Sequence, residues 1–325
     1  MSAQARLNRL WYGSRAPAAL LPAEWLYGAV GALRRGAYRR GWLASRRVER
    51  PVVVVGNLTV GGAGKTPLVA WLAARLAAAG RHPGIAARGY RGSARGARLV
   101  ASGDAAAVVG DEPLLLARRG IGPVAVGRRR AASAELLIAA GCDVIVCDDG
   151  LQHYALARDV EIAVIDGERR LGNGHLLPAG PLREPVRRLR EVDAVVVNGG
   201  VAAGGELAMR LVPGEAVRIR DGARAPLAAF AGRPVHAVAG IADPARYFRM
   251  LRGAGLEPIE HPLDDHARIG AAEFAFGDDN PVLMTEKDAV KCTDLADERH
   301  WYVPVDACFD AADEATLLGV VMRSI

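Results

Sequence analysis

Lysine is almost missing from this chain. Lys and Arg together number 42 in 325 residues, and only Lys65, Lys287 and Lys291 are lysines. Such a bias reflects genome composition. Where arginine is the default, however, a retained lysine marks a place that a planar guanidinium does not fit. Cysteine is also scarce. Cys142, Cys147, Cys292 and Cys308 form no C-x-x-C pair, which argues against a disulfide framework or a zinc site and fits a reducing cytosol. Long apolar runs are lacking: Glu24 breaks one stretch and Arg34 with Arg35 ends the next. No run approaches the ~18 residues of a membrane-crossing helix, and the first residues do not read as a signal peptide. There is no internal repeat, and the alanine-rich stretches have helical spacing rather than low complexity.

What is present is ordinary for a globular protein: 51% apolar and 24% charged residues, enough for one large domain or two. The net charge of +6 calls for an acidic partner, whether nucleic acid, anionic lipid or a phosphorylated substrate. No nucleic-acid-binding motif accompanies it, so a nucleic-acid partner is not expected.

Residues 1–47 interleave Trp11, Tyr12, Trp25, Tyr27, Tyr38 and Trp42 with Arg34, Arg35, Arg39, Arg40, Arg46 and Arg47. Rings and cations on a helix suit a membrane interface with anionic lipid. They suit equally an amphipathic helix packed on its own domain. From residue 48 to 222 the pattern is α/β: strands over Pro51–Gly56, Gly84–Ala87, Pro123–Gly127, Asp143–Cys147, Val160–Asp166 and Asp193–Asn198, with helices over Leu68–Ala79, Pro113–Arg119 and Ala131–Ala140. Continuous apolar strands alternating with helices predict a mostly parallel sheet covered on both faces, as in P-loop NTPases. Residues 199–228 are rich in Gly, Ala and Arg and read as a linker or small hinge. Residues 223–325 read as a smaller C-terminal α/β domain, with strands at Val235–Gly240 and Pro281–Thr285 and a short terminal helix.

The strongest motif is Gly61-Gly62-Ala63-Gly64-Lys65-Thr66, after a buried strand and before a helix. Glycines let backbone N–H groups turn onto phosphate oxygens, and the helix N-terminus adds positive potential. Lys65 is placed to reach the β- and γ-phosphates of ATP, and Thr66 to ligate Mg2+. The pattern departs from the general loop at Thr59, where a glycine is usual. The strand ending in Asp148 and Asp149 supplies the carboxylates that such a loop needs for Mg2+.

Further blocks follow in order: Arg88-Gly89-Tyr90-Arg91-Gly92, Gly110-Asp111-Glu112-Pro113, Asp148-Asp149-Gly150-Leu151-Gln152-His153, Leu176-Leu177-Pro178-Ala179-Gly180-Pro181-Leu182-Arg183-Glu184, Asp265-His266 and Thr285-Glu286-Lys287-Asp288-Ala289-Val290-Lys291. Together with Gly56–Pro67, these resemble the tetraacyldisaccharide 4'-kinase family over nearly the whole chain. Two departures stand out: Ala63 where the family often has a hydroxyl residue, and Ala267 where it often has a second histidine.

The resemblance implies transfer of the ATP γ-phosphate to the 4'-hydroxyl of a tetraacyldisaccharide 1-phosphate lipid, giving lipid IV-A, on the cytoplasmic face of the bacterial inner membrane. It implies Asp111 as general base with His266 as its partner across an interdomain cleft. Arg183 is expected at the nucleotide, and Gln152 and Glu184 with Thr66, Asp148 and Asp149 at the metal. Asn57, Tyr90, Arg130 and His153 are expected at the acceptor. Each has a plainer reading: Asp111 as a helix cap, His266 as a surface histidine, Arg183 and Glu184 as an exposed pair, Arg130 as solvated helix surface. The competing function is a P-loop ATPase or GTPase switch at the membrane. Val60 stands where one class of such ATPases carries a lysine, and Thr285–Asp288 lacks the spacing of a guanine-reading N-K-x-D.

Overall fold

A computed structural model describes residues 9–13, 16–265, 267 and 269–325. His266 therefore lies outside the described residues. In chain order the elements are α1 (Leu21–Arg39), β1 (Val52–Gly56), α2 (Lys65–Ala78), β2 (Pro83–Ala87), β3 (Arg98–Leu99), α3 (Ala106–Val109), α4 (Asp111–Arg119), β4 (Val124–Val126), α5 (Arg130–Ala139), β5 (Val144–Asp148), β6 (Val160–Asp166), β7 (Ala194–Asn198) and β8 (Leu207–Pro213). There follow β9 (Ala216–Arg218), β10 (Arg224–Ala225), β11 (Val235–Ala239), α6 (Pro244–Gly253), β12 (Pro258–Pro262), β13 (Val282–Thr285), α7 (Glu286–Ala289), β14 (His300–Val303), β15 (Val305–Cys308) and α8 (Ala311–Met322).

The valine run of β1 makes it the centre of a nine-stranded sheet ordered β15-β8-β7-β6-β1-β5-β2-β4-β3. All pairings from β8 to β4 are parallel, and only the two edge strands run the other way. Strand alternation sends Val53 and Val55 to one face, with Leu68, Leu72 and Leu76 of α2. It sends Val52 and Val54 to the other, with Ala134 and Leu137 of α5. Both faces are covered, as the unbroken apolar strands require. A second, six-stranded sheet is ordered β10-β9-β14-β13-β11-β12.

The reading of residues 199–228 as a linker is corrected by this topology. β8 extends the large sheet beside β7, and β9 and β10 form the edge of the small one. Only Leu207 and Met209 of β8 are buried, and Ala208 and Arg210 face solvent, so this strand lacks the apolar run that exposes the others. Sheet membership also divides the chain differently from a cut at residue 222. β15 pairs with β8, and Leu317 and Val321 of α8 join the core beneath α2. The chain thus leaves the large sheet after β8 and returns to it at its end.

Helix starts matter for the site. α2 begins at Lys65, with Pro67 in its first turn, where a missing N–H costs nothing. α4 begins at Asp111, two residues before Pro113. Its N-cap is Gly110, at φ 93°, so Asp111 is not the cap. Asp111 and Glu112 occupy the first turn, where the helix dipole favours negative charge.

Candidate active site

The parallel strands β1, β5, β2 and β7 end at one edge of the large sheet, where open α/β sheets gather their sites. There a cleft of about 1650 Å³ runs between the two sheets, lined by the phosphate-loop glycines, Lys65, Asp149, Glu112, Asp265 and Lys287 among others. It exceeds the ~300–1,000 Å³ usual for one small ligand, leaving room for two substrates.

The loop Gly61–Gly64 is held from below. Asn57 is fully buried, and its Nδ2 donates to the Gly61 carbonyl (3.2 Å). Asn198 Nδ2 donates to the Ala63 carbonyl (3.1 Å). Gly64 sits at φ 93°, and a Cβ there would lie 2.3 Å from that same Asn198 amide, so no other residue fits. The second sheet reaches this point through Arg246 of α6, which donates to Asn198 Oδ1 (2.8 Å) and Asp166 (3.3 Å). Neither Asn198 nor Arg246 was singled out in the sequence. The Asn-Gly-Gly at the end of β7 was the available signal.

The two aspartates ending β5 part company. Asp148 is buried, and Thr66 Oγ1 donates to its Oδ2 (3.2 Å). Its Oδ1 has no hydrogen-bond partner among the described residues. Burial, then the charge of Glu112, push its carboxyl up to about 7. Asp149 is drawn to cations: Lys65 Nζ at 3.5 Å and Arg183 Nη1 at 3.1 Å. Burial alone would raise it, but Lys65 and Arg183 win and hold it at about 2.

Glu184 is buried rather than an exposed surface partner. It accepts hydrogen bonds from Tyr154, from Gln152 Nε2 (3.2 Å) and from Arg35 (3.3 Å). Gln152 also donates to the Asn57 carbonyl (3.1 Å). Arg130 is equally buried, which corrects its reading as solvated helix surface. It donates to the carbonyls of Gly127 (3.0 Å) and Asp148 (3.1 Å). His153 lies beside Arg130, Arg158, Arg34 and Arg88. Burial and those charges bring it down to about 4, so it is neutral near pH 7. Tyr90 lines the cleft and is exposed.

Asp111 and Glu112 of α4 are brought against the 285–291 segment. Lys287 Nζ lies 3.3 Å from Glu112 and 3.2 Å from Asp265, and Lys291 Nζ lies 3.9 Å from Asp111. The structure thus brings Lys65, Thr66, Asp148, Asp149, Gln152, Arg183 and Glu184 together. Glu112 lines the same cleft, and Asp111 precedes it at the head of α4 without being among the lining residues.

α1 has two faces. One grips the site: Tyr27 Oη donates to the Arg183 carbonyl (3.2 Å), Arg34 to the Gln152 carbonyl (3.1 Å) and Arg35 to Glu184. The other leaves Trp25 74%, Leu26 67% and Leu33 73% exposed. Three of the expected lipid-facing arginines are exposed but make ion pairs with the protein's own carboxylates, Arg39 with Glu191, Arg46 with Glu135 and Arg47 with Asp159. Among the described residues no helix is long and apolar enough to cross a membrane.

Comparison with known proteins agrees with this geometry. A family profile described as tetraacyldisaccharide-1-P 4'-kinase matches residues 16–322. The tetraacyldisaccharide 4'-kinase of Alkalilimnicola ehrlichii is 56% identical over 94% of this chain and 92% of its own. That of Xanthomonas oryzae pv. oryzae is 52% identical over 97% and 95%. The crystal structure of LpxK from Aquifex aeolicus, in complex with ATP, superposes with a TM-score of 0.78 at 26% identity, covering 94% of this chain and 98% of that one. This chain belongs to the tetraacyldisaccharide-1-P 4'-kinase family.

Proposed function

We propose that this protein transfers the γ-phosphate of ATP to the 4'-hydroxyl of a tetraacyldisaccharide 1-phosphate lipid. The observation that carries the reading is a phosphate-binding loop with its strand-end carboxylates on one cleft large enough for both substrates, with Glu112 of α4 in the lining and Asp111 next to it in the chain. The loop N–H groups, the start of α2 and Lys65 bind the triphosphate, with Arg183 as a second cation. Asp111, partnered by His266, takes the proton of the acceptor hydroxyl. Tyr90, Arg130 and His153 line the acceptor side, and Asn57 shapes the loop from beneath.

Mg2+ fits Thr66 and Asp148. A buried carboxylate oxygen without a donor, beside a hydroxyl, is what a hard cation needs. Bound there, it would neutralise charge developing on the phosphates. Asp149, already engaged by Lys65 and Arg183, orients those cations. Glu184 and Gln152 support the same site. The folded carboxyl of Asp148 lies above its ordinary range, so it favours the proton. The fold loses that contribution as pH rises through about 7, where a bound cation would take the proton's place. Millimolar magnesium should therefore raise the melting temperature more at about pH 8 than at about pH 6. Asp148→Asn should erase the difference. Equal shifts at both pH values would remove Asp148 from the metal site.

The exposed face of α1 docks on the cytoplasmic surface of the inner membrane, placing the cleft where a lipid acceptor lies. Trp25→Ser/Leu26→Ser/Leu33→Ser should weaken co-sedimentation with anionic vesicles at least about tenfold, given the ~1.5–3 kcal/mol of each buried apolar side chain. Added salt should also weaken it, because exposed arginines such as Arg39, Arg46 and Arg47 attract anionic lipid through charge that salt screens. Unchanged sedimentation would leave α1 as a packing helix only. Phosphoryl transfer is tested by incubation with ATP labelled at the γ- or α-position. Label should enter the lipid from the γ-position alone. Lipid that takes up neither label would refute the proposed reaction.

A further inference from the structure

We infer that Lys291 and Lys287 are positioning residues that hold Asp111 and Glu112, at the head of α4, in place for the acceptor. The inference rests on the reading of Asp111 as the base. Of the three lysines of this arginine-rich chain, Lys65 and Lys287 line the cleft and Lys291 lies behind it, with side chains 12%, 16% and 9% exposed for Lys65, Lys287 and Lys291.

Lys291 is anchored from behind. Its Nζ donates to Asp288 Oδ1 (2.6 Å) and to the Ala267 carbonyl (3.3 Å), and its third direction points toward Asp111 Oδ2 at 3.9 Å. Asp288 is itself immobilised, fully buried, with Oδ2 accepting from the Gly240 N–H (2.8 Å) and from Thr285 Oγ1 (2.6 Å). The backbone just after β11 therefore fixes the aspartate, the aspartate fixes the ammonium, and the ammonium faces the base. Lys287 bridges Glu112 and Asp265 in the same way.

At the other end of α4, Arg119 holds Glu286 through two contacts of 2.9 and 2.5 Å. One short segment, residues 286–291, thus grips α4 at both ends. Four carboxylates, Asp111, Glu112, Asp265 and Asp288, crowd this wall and would repel one another without the two ammoniums. An ammonium can serve three acceptors in three directions, which a planar fork cannot.

Lys291→Met alone leaves Asp288 buried without its cation and risks unfolding. The informative comparison is Asp288→Asn against Asp288→Asn/Lys291→Met in the full chain, with steady-state kinetics on ATP and the disaccharide 1-phosphate and with thermal melts. The double variant should melt close to Asp288→Asn and keep its KM for ATP within about twofold, while kcat falls on the order of 10- to 100-fold. Adding Asp111→Asn should bring no further loss, because the two act as one unit. Lys287→Gln, whose partners are partly exposed, should show the same split with a smaller drop. Full kcat in the double variant, or losses that multiply with Asp111→Asn, would overturn the inference alone. Full kcat in Asp111→Asn by itself would overturn the base reading, and this inference with it.

Discussion

Lys65→Ala is expected to reduce phosphoryl transfer by at least about 10³-fold, in the upper range for loss of one donor to developing charge. The reason is local. Lys65 Nζ stands at the head of α2, beside Asp149, with the loop glycines around it. Its side chain is only 12% exposed and ion-paired. The fold should nonetheless survive, because Asp149 keeps Arg183 at 3.1 Å. Lys65→Arg should fail nearly as badly. Its planar fork is wider than an ammonium and would meet Arg183 on the same carboxylate. Circular dichroism and melting temperature should match the parent for both variants, while turnover collapses. Near-parental turnover in either would remove the phosphate loop from the chemistry.

Asp111→Asn is expected to lower kcat by about 10²–10⁴-fold, the usual worth of general-base catalysis, with ATP affinity largely intact. Asparagine keeps the shape of the first turn of α4 and loses only the proton acceptor. His266→Ala should cost less, and the double variant should cost less than the product of the two single losses. If Asp111→Asn mainly destroys nucleotide binding, Asp111 belongs with the metal carboxylates and the base lies elsewhere.

Much of the architecture was legible because burial on both faces leaves an unbroken apolar run. Val52–Val55 and Val144–Cys147 could be nothing but buried strands, and the glycine loop after the first fixed the catalytic edge of the sheet. β8 was not legible. It alternates buried and exposed residues in a Gly- and Ala-rich stretch, and its pairing partner β15 lies about a hundred residues away in sequence. Nor could sequence spacing show that α1 lies against Arg183 and Glu184, since those contacts are long-range hydrogen bonds with no periodicity.

The site was half legible. Side chains sharing one motif, Lys65 with Thr66 or Asp148 with Asp149, were found by their pattern. The different environments of the two aspartates were not, because burial and the charges of Glu112 and Arg183 come from other elements. Residues that act by holding others, such as Asn198 and Arg246, carry no motif of their own. Lysine scarcity and the Thr285–Lys291 block reached Lys287 and Lys291 but not the carboxylates they hold.

The central claim is that the cleft couples nucleotide turnover to a lipid hydroxyl. The most direct measurement is ADP formation from ATP with and without the disaccharide 1-phosphate, with the lipid product analysed for phosphate at the 4'-position. The account predicts negligible ADP without acceptor, and one 4'-phosphate gained per ADP released when acceptor is present. Nucleotide hydrolysis at the same rate with and without the lipid, and no phosphate at the 4'-position, would contradict it and make the protein a nucleotide switch.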